Sequence, residues 1–246
     1  MANKTEHTVL GGRLILRQPE EGYRAAIDPV LLAASVSVLP EQTVLDLGTG
    51  IGTAALCLAR RCSGIQVTGL EIQEELVALA RENTRHNNLD DAVRMVEADL
   101  NTSPDELAEA SFDHVIANPP YFRADQAQSS PNRIKAVANI EGAGGLAAWL
   151  AAANRYLKEG GTLTVIHSAD RLSDLIEVFA EFQMGSAEIF PFWPKQGRPA
   201  KRIIVRGRKG GRGATALHSG LVLHDENGSY SAVADDLLKE AGSLVF

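Results

Sequence analysis

The sequence predicts an α/β fold: a doubly wound, largely parallel sheet covered by helices on both faces and closed by an antiparallel hairpin. Three observations carry this expectation. Short runs rich in Val, Leu and Ile alternate with helical patterns from residue 43 to about 180. The intervening stretches are long enough for the crossover helices that parallel strands require. Beyond residue 183, two further apolar runs are joined through a Pro-rich loop, Pro191 to Pro199, which is too short for such a crossover. Those two runs are therefore expected to pair antiparallel.

Taken in order, residues 8–17 alternate weakly and suggest a hairpin around Gly11-Gly12. Gly22-Tyr23-Arg24 leads into Asp28-Pro29, where Asp28 is placed to N-cap a helix over 30–39 with Pro29 at its first position. Core strands are expected at 43–47, 66–71, 93–97, 112–117 and 162–167, and helices at 52–62, 74–86, 146–157 and 171–182. Asn87-Asn88 suits a left-handed helix end, and Gly160-Gly161 serves as a second such stop. The hairpin strands are 187–190 and 202–206, followed by a strand at 221–224 and a short helix near 232–240. The expected organisation is one domain over 1–246: an N-terminal segment (1–40), a core (41–210) and a C-terminal extension (211–246).

Composition narrows the function classes. Of 246 residues, 45% are hydrophobic and 22% charged, which excludes disordered, fibrous and disulfide-scaffold readings. The two cysteines, Cys57 and Cys62, lie in one apolar helical stretch and read as buried thiols. No metal-ligand spacing links them to the six histidines, so no metal is expected. No apolar run reaches the roughly 18 residues of a membrane span, and the polar N-terminus lacks a signal-peptide core. A cytoplasmic protein without a membrane partner is expected. A net charge of −7 argues against nucleic acid, yet eight basic residues and no acid stand between Lys195 and Arg212. They leave 16 basic against 31 acidic residues elsewhere, so the segment reads either as a phosphate-seeking face or as a solvated hairpin that protects a sheet edge.

The chemistry concentrates at predicted strand ends. Asp46-Leu47-Gly48-Thr49-Gly50-Ile51-Gly52 is a Gly-rich turn between the first core strand and its helix, where main chain can approach a ligand closely. A nicotinamide fingerprint would place its third glycine at position 53, which is Thr53. Asp46 suits the ammonium of an amino-acid cofactor, so S-adenosylmethionine (SAM) is the favoured ligand, with a dinucleotide or a plain tight turn as alternatives. Glu71, about 20 residues on and followed by Ile72, is placed to accept from ribose hydroxyls or to favour the next helix N-terminus. Asp99, followed by Leu100, is placed for an adenine amino group or as a helix cap.

Asn118-Pro119-Pro120-Tyr121 follows the fourth core strand. The Asn118 amide oxygen and the Pro119 carbonyl can each accept one hydrogen of a planar amino group. That turns the nitrogen lone pair out of conjugation and stabilises the developing positive charge. Tyr121 offers a ring for stacking a flipped base. The stretch 122–140 lacks hydrophobic periodicity and contains Arg123, Arg133 and Lys135, as expected of a substrate-gated loop.

These motifs resemble the class I SAM-dependent methyltransferases, in the branch whose N-P-P-Y signature marks methylation of exocyclic or amide nitrogens. The resemblance implies a Rossmann-like doubly wound seven-stranded sheet with a terminal antiparallel hairpin. It assigns cofactor roles to Asp46, Gly48, Thr49, Gly50, Glu71, Ile72, Asp99, Leu100 and Asn118, and catalytic roles to Asn118, Pro119, Pro120 and Tyr121. G-Y-R-x-x-x-D-x-x-L-L-A before the core and A-K-R-I-I-V-R-G-R-K-G after it are similar to the bacterial tRNA adenine-N6 methyltransferases that modify a valine tRNA. In that family the N-terminal segment covers the cofactor, which implicates Tyr23, Arg24 and Asp28. Acceptor binding is then expected at Tyr121, Arg123, Lys201 and Arg202, with tRNA as partner. The alternatives are N5-methylation of a protein glutamine, DNA adenine methylation, a small-molecule acceptor, or a SAM- or RNA-binding module without turnover.

Overall fold

The computed structural model describes residues 4–20, 27–121 and 144–246. Strands β1 (Lys4–Val9) and β2 (Leu14–Pro19) pair antiparallel around a 3-10 turn at Leu10–Gly12, the expected hairpin. The hairpin is moored to the core by side-chain amides. Asn83 and Asn87, one helical turn apart, exchange hydrogen bonds with the main chain of Arg17 and Ile15 as a neighbouring strand would.

Helix α1 spans Asp28–Ala34, shorter than the expected 30–39. Ser35 Oγ donates to the Leu32 carbonyl at 2.7 Å, and the β-branched Val36 and Val38 ahead of Pro40 favour extended chain. Asp28 does not cap this helix: Ile27 holds the N-cap position, without a side-chain cap. The Asp28 carboxylate is instead drawn to a guanidinium, described below.

The core alternates as predicted through β3 (Thr43–Leu47), α2 (Thr53–Arg61), β4 (Gln66–Glu71), α3 (Glu74–His86), β5 (Val93–Glu97), β6 (Phe112–Ala117), α4 (Gly145–Tyr156), β7 (Leu157–Ser168) and α5 (Leu172–Glu181). Asn88 takes the left-handed conformation (φ 53°) after α3. The expected glycine stop after α4 is not used: the helix ends one residue before Leu157, which already pairs with Phe112. Gly160 (φ 76°) instead turns the chain within an irregular start to β7, and regular pairing resumes at Thr162 opposite His114.

Strands β3 to β7 are mutually parallel in the order β5-β4-β3-β6-β7. Antiparallel strands β8 (Met184–Trp193) and β9 (Arg202–Lys209) extend the sheet, β9 lying between β7 and β8. This is the expected seven-stranded sheet. Two-residue strands β10 (Ala216–Leu217) and β11 (Leu221–Val222) add to the far side of β8, both parallel to it. The expected strand 221–224 stops early because His224 bridges to Tyr230 instead. Helix α6 (Ala232–Asp235), capped by Ser231, continues as a π-helical turn, Asp236–Glu240.

Alternate residues of β3 separate the two cores. Val44 faces α1, α2 and α3 through Leu31, Leu56 and Val77, whereas Leu45 and Leu47 face α4 and α5 through Leu150 and Phe179. Helices therefore cover both faces, and the strand order reverses between β3 and β6. In open parallel sheets, ligands bind at the carboxyl ends of the strands at such a reversal.

Candidate active site

The Gly-rich turn leaves β3 at that reversal. Gly48 and Gly50 both have positive φ (61° and 59°). A Cβ on Gly48 would also collide with the ring of Trp149, carried by α4, so two constraints demand glycine there. Gly50 donates its N–H to Glu71 Oε2 at 3.0 Å, and Ile72 and Gln73 donate theirs to Oε1, both at 3.0 Å. Glu71 is thus locked at the end of β4, 7% exposed, with acceptor capacity remaining on both oxygens. Burial raises its pKa despite these three donors. Next to this polar group, Ile72 is 53% exposed and presents an apolar side chain.

Asp46 lies beneath the turn, 2% exposed, accepting from Thr49 Oγ1 at 2.6 Å. Burial pushes its carboxyl up to about 7, Glu71 adds to the rise, and the Thr49 hydroxyl and Ala55 N–H oppose it. Asp99 stands two residues beyond β5, where its Oδ1 accepts from the Asn101 main chain at 2.9 Å. Residues 100–111 form turns and no helix, so Asp99 has no helix to cap. Registers Leu47–Leu70, Leu47–Ala117 and Glu71–Glu97 bring Gly48, Glu71, Ile72, Asp99, Leu100 and Asn118 to one edge of the sheet.

Asn118 follows β6 at the same edge of the sheet. Its Oδ1 is buried and has no hydrogen-bond partner among the described residues. A buried amide oxygen left without a donor costs about 1–3 kcal/mol, so a ligand that supplied a donor would gain by it.

Tyr121 is anchored through contacts distant in sequence. Its hydroxyl donates to Asp28 Oδ2 at 2.7 Å, and Arg202 Nε reaches both Asp28 oxygens at 3.0 and 3.1 Å. The Arg202 guanidinium also lies 5.0 Å from the Tyr121 ring centre. His167, closing β7, packs on the same ring at 4.9 Å. Burial, and then the Asp28 carboxylate, raise the Tyr121 pKa, so the phenol stays protonated. Burial opposes the Arg202 charge, but Asp28 and Tyr121 outweigh it and raise its pKa. His167 is fully buried; burial first and Arg171 second push it down to about 4, so its ring is neutral at physiological pH.

Arg202 is therefore half-buried within the protein, where an exposed phosphate contact was expected. Much of the basic segment behaves alike: Arg206 pairs with Glu188 at 2.7 Å, Arg208 donates to the Gly160 carbonyl, and Lys209 to those of Asn154 and Leu157. Lys201 is exposed. Tyr23, Arg24, Arg123 and the 122–140 loop lie outside the described residues. Trp149, His167 and Arg171, which reaches the Tyr121 carbonyl at 3.5 Å, went unrecognised in the sequence. His167 alone carried a signal, a polar side chain at the carboxyl end of a buried strand. Among the described residues no group of His, Cys, Asp and Glu is placed to hold a metal ion, and no helix is long and apolar enough to cross a membrane.

A protein named tRNA1(Val) (adenine(37)-N6)-methyltransferase from Actinobacillus pleuropneumoniae is 29% identical over 213 residues, covering 86% of this chain and 87% of its own. A crystal structure of a predicted O-methyltransferase from Agrobacterium tumefaciens superposes with a TM-score of 0.73 at 24% identity, covering 89% of this chain and 98% of that one. Geranyl diphosphate C-methyltransferase from Streptomyces coelicolor, solved with S-adenosyl-L-homocysteine, shares the fold with a TM-score of 0.51 at 14% identity, covering 73% of each chain. The methyltransferase small domain model matches residues 27–184, the stretch that carries the Gly-rich turn, Glu71 and the Asn118 tetrad, and the chain belongs to that family of methyltransferases.

Proposed function

We propose that the protein transfers a methyl group from SAM to the exocyclic N6 of an adenine in tRNA. The observation that carries this reading is the buried, unpartnered Oδ1 of Asn118 at the sheet reversal, beside the Gly-rich turn. The adenine and tRNA assignment draws on the names of relatives aligned over most of the chain.

The residues present fit SAM. Glu71 retains lone pairs for ribose hydroxyls, the exposed Ile72 offers an apolar face to adenine, and Asp99 and Leu100 follow at the next strand end. The main chain of Gly48, Thr49 and Gly50 would lie along the amino-acid part, with the Asp46 carboxyl below it. When bound, SAM supplies an electrophilic methyl group.

Asn118 and the Pro119 carbonyl accept the two amino hydrogens of the acceptor and stabilise the positive charge that grows on its nitrogen. Pro119 and Pro120 stiffen the tetrad so that both acceptors keep their aim. The half-buried, protonated Tyr121 supplies a stacking surface and no base; the methylated ammonium is acidic enough to lose its proton to water. Arg202 acts on the acceptor through Tyr121. A tRNA acceptor supports the expected cytoplasmic location.

Incubation with tritiated SAM and separate pools of tRNA, rRNA, DNA and protein tests the reading. Label confined to tRNA and recovered as N6-methyladenosine is the expected result. Label in protein glutamine, or in no macromolecule, overturns it.

A further inference from the structure

The basic segment 195–212 does not act as one face, because the sheet places its two ends at opposite edges. Arg202 pairs with Ser168 on one side and Phe192 on the other, at the carboxyl edge where β7 ends and the active site lies. Arg208 and Lys209 pair with Thr162 and Met184, at the opposite edge. The run is thus divided along β9 into a near end and a far end.

The near end is a formed turn with free charge. Arg198 N donates to the Lys195 carbonyl at 3.2 Å, Gly197 has φ 70°, and Lys201 exchanges main-chain bonds with Phe192 and Ala169. Lys195, Arg198 and Lys201 are all exposed. Arg198 and Lys201 have no side-chain partner among the described residues, whereas Lys195 Nζ donates to the Glu226 carbonyl at 3.1 Å, in a turn that also carries Asp225. The adjacent residue, Arg202, touches Tyr121. The far end is mostly committed to the protein's own carbonyls and to Glu188; only Arg212 lacks a partner there among the described residues.

We infer that the tip of the β8–β9 hairpin, through Arg198 and Lys201 with a smaller part for Lys195, is the surface that binds the RNA backbone, gripping phosphates next to the nucleotide presented to Tyr121. This deepens, and rests on, the reading of the acceptor as tRNA. A preformed turn spares the backbone ordering cost, so that only the side chains are ordered on binding, and acidic charge elsewhere repels RNA that approaches from other directions.

The experiment compares two double variants of equal charge change, Arg198→Ala/Lys201→Ala at the tip and Arg208→Ala/Arg212→Ala at the far end. Filter binding of tRNA is followed from about 50 to 300 mM salt, beside tRNA methylation. Each lost phosphate contact lowers the log–log salt slope by about 0.7–0.9. The tip pair should therefore reduce the slope by about 1.4–1.8 and raise KM for tRNA, while the far pair leaves both unchanged. Equal slopes in parent and tip variant, an equal loss in the far variant, or no tRNA binding by the parent overturns the inference. If the tip substitutions disturb folding, Lys201→Ala by itself should still lower the slope by about one. Methylation of tRNA with equal slopes rejects the surface and keeps the function; tip-dependent binding without methylation does the reverse.

Discussion

The side of the crevice assigned to the cofactor holds its carboxylates mostly with main-chain donors from two neighbouring turns, whereas the side assigned to the acceptor relies on side chains gathered from distant segments. Glu71 accepts from Gly50, Ile72 and Gln73, and Asp46 from Thr49. Tyr121 bonds Asp28, 93 residues away, and Asp28 bonds Arg202, 174 residues away. Backbone donors fixed by a turn tolerate much side-chain change, since the turn's shape is what matters. A triangle of Tyr121, Asp28 and Arg202 is vulnerable at each corner, because removing any one leaves a buried polar group without its partner.

The largest expected effect separates the two sides at the reacting nitrogen. Asn118→Ala removes an acceptor needed most as positive charge develops. Turnover should fall by about two orders of magnitude or more while SAM affinity stays near that of the parent. Single-turnover methylation beside calorimetric SAM titration measures both. Parent-like turnover would move the chemistry away from the tetrad.

On the cofactor side, Glu71→Ala should weaken SAM by about 10- to 150-fold, corresponding to about 1.5–3 kcal/mol for hydrogen bonds to a charged group. The loss has two sources, the missing ribose acceptor and three main-chain N–H groups left without their carboxylate. Glu71→Gln keeps an acceptor and should recover part of the affinity. If both variants bind SAM like the parent, Glu71 serves the turn only.

The same contrast explains what the sequence made legible. The Gly-rich turn, Glu71 and the Asn118 tetrad are local patterns at strand ends, and sheet topology alone brings them together. Asp28 was misread because Asp-Pro ahead of an apolar run fits a capped helix, and nothing local signals that a carboxylate will find Arg202. The basic run was legible only in part, for the opposite reason. Its eight charges are adjacent in sequence, but β9 carries Arg206, Arg208 and Lys209 toward carbonyls and Glu188 that only the folded chain supplies. Local charge counting identifies a cationic strand and says nothing of which cations are already engaged.

A smaller effect tests the acceptor triangle. Arg202→Ala removes the cation over Tyr121 and unpairs Asp28, and should lower kcat/KM for tRNA by about 2- to 30-fold, the span of a cation–π contact from exposed to desolvated. Tyr121→Phe keeps the ring and frees Asp28 from its hydroxyl, so its defect should overlap with that of Arg202→Ala. In the double variant the two losses should fall short of additivity, with SAM affinity constant. Full additivity would mean that Arg202 acts on the acceptor independently of the ring.

The smallest effect is a pH dependence on the cofactor side. Asp46 has its carboxyl raised to about 7, above the roughly 3.9 of an unfolded aspartate. A raised carboxyl stabilises the fold while protonated, so that contribution is present below about pH 4 and is lost as pH rises through 7. Cofactor-free protein should therefore become easier to melt between pH 5 and 8. The cationic cofactor favours the ionised form, so SAM affinity should move the other way, rising by at most about tenfold from pH 6 to 8 as the proton no longer has to be displaced. Asp46→Asn cannot ionise and should flatten both trends, although it keeps an oxygen for Thr49. Melting curves and SAM titrations across that range, for parent and variant, provide the measurement. If the parent's affinity is flat while its stability falls, Asp46 titrates without sensing the cofactor, and its charge serves only the buried turn.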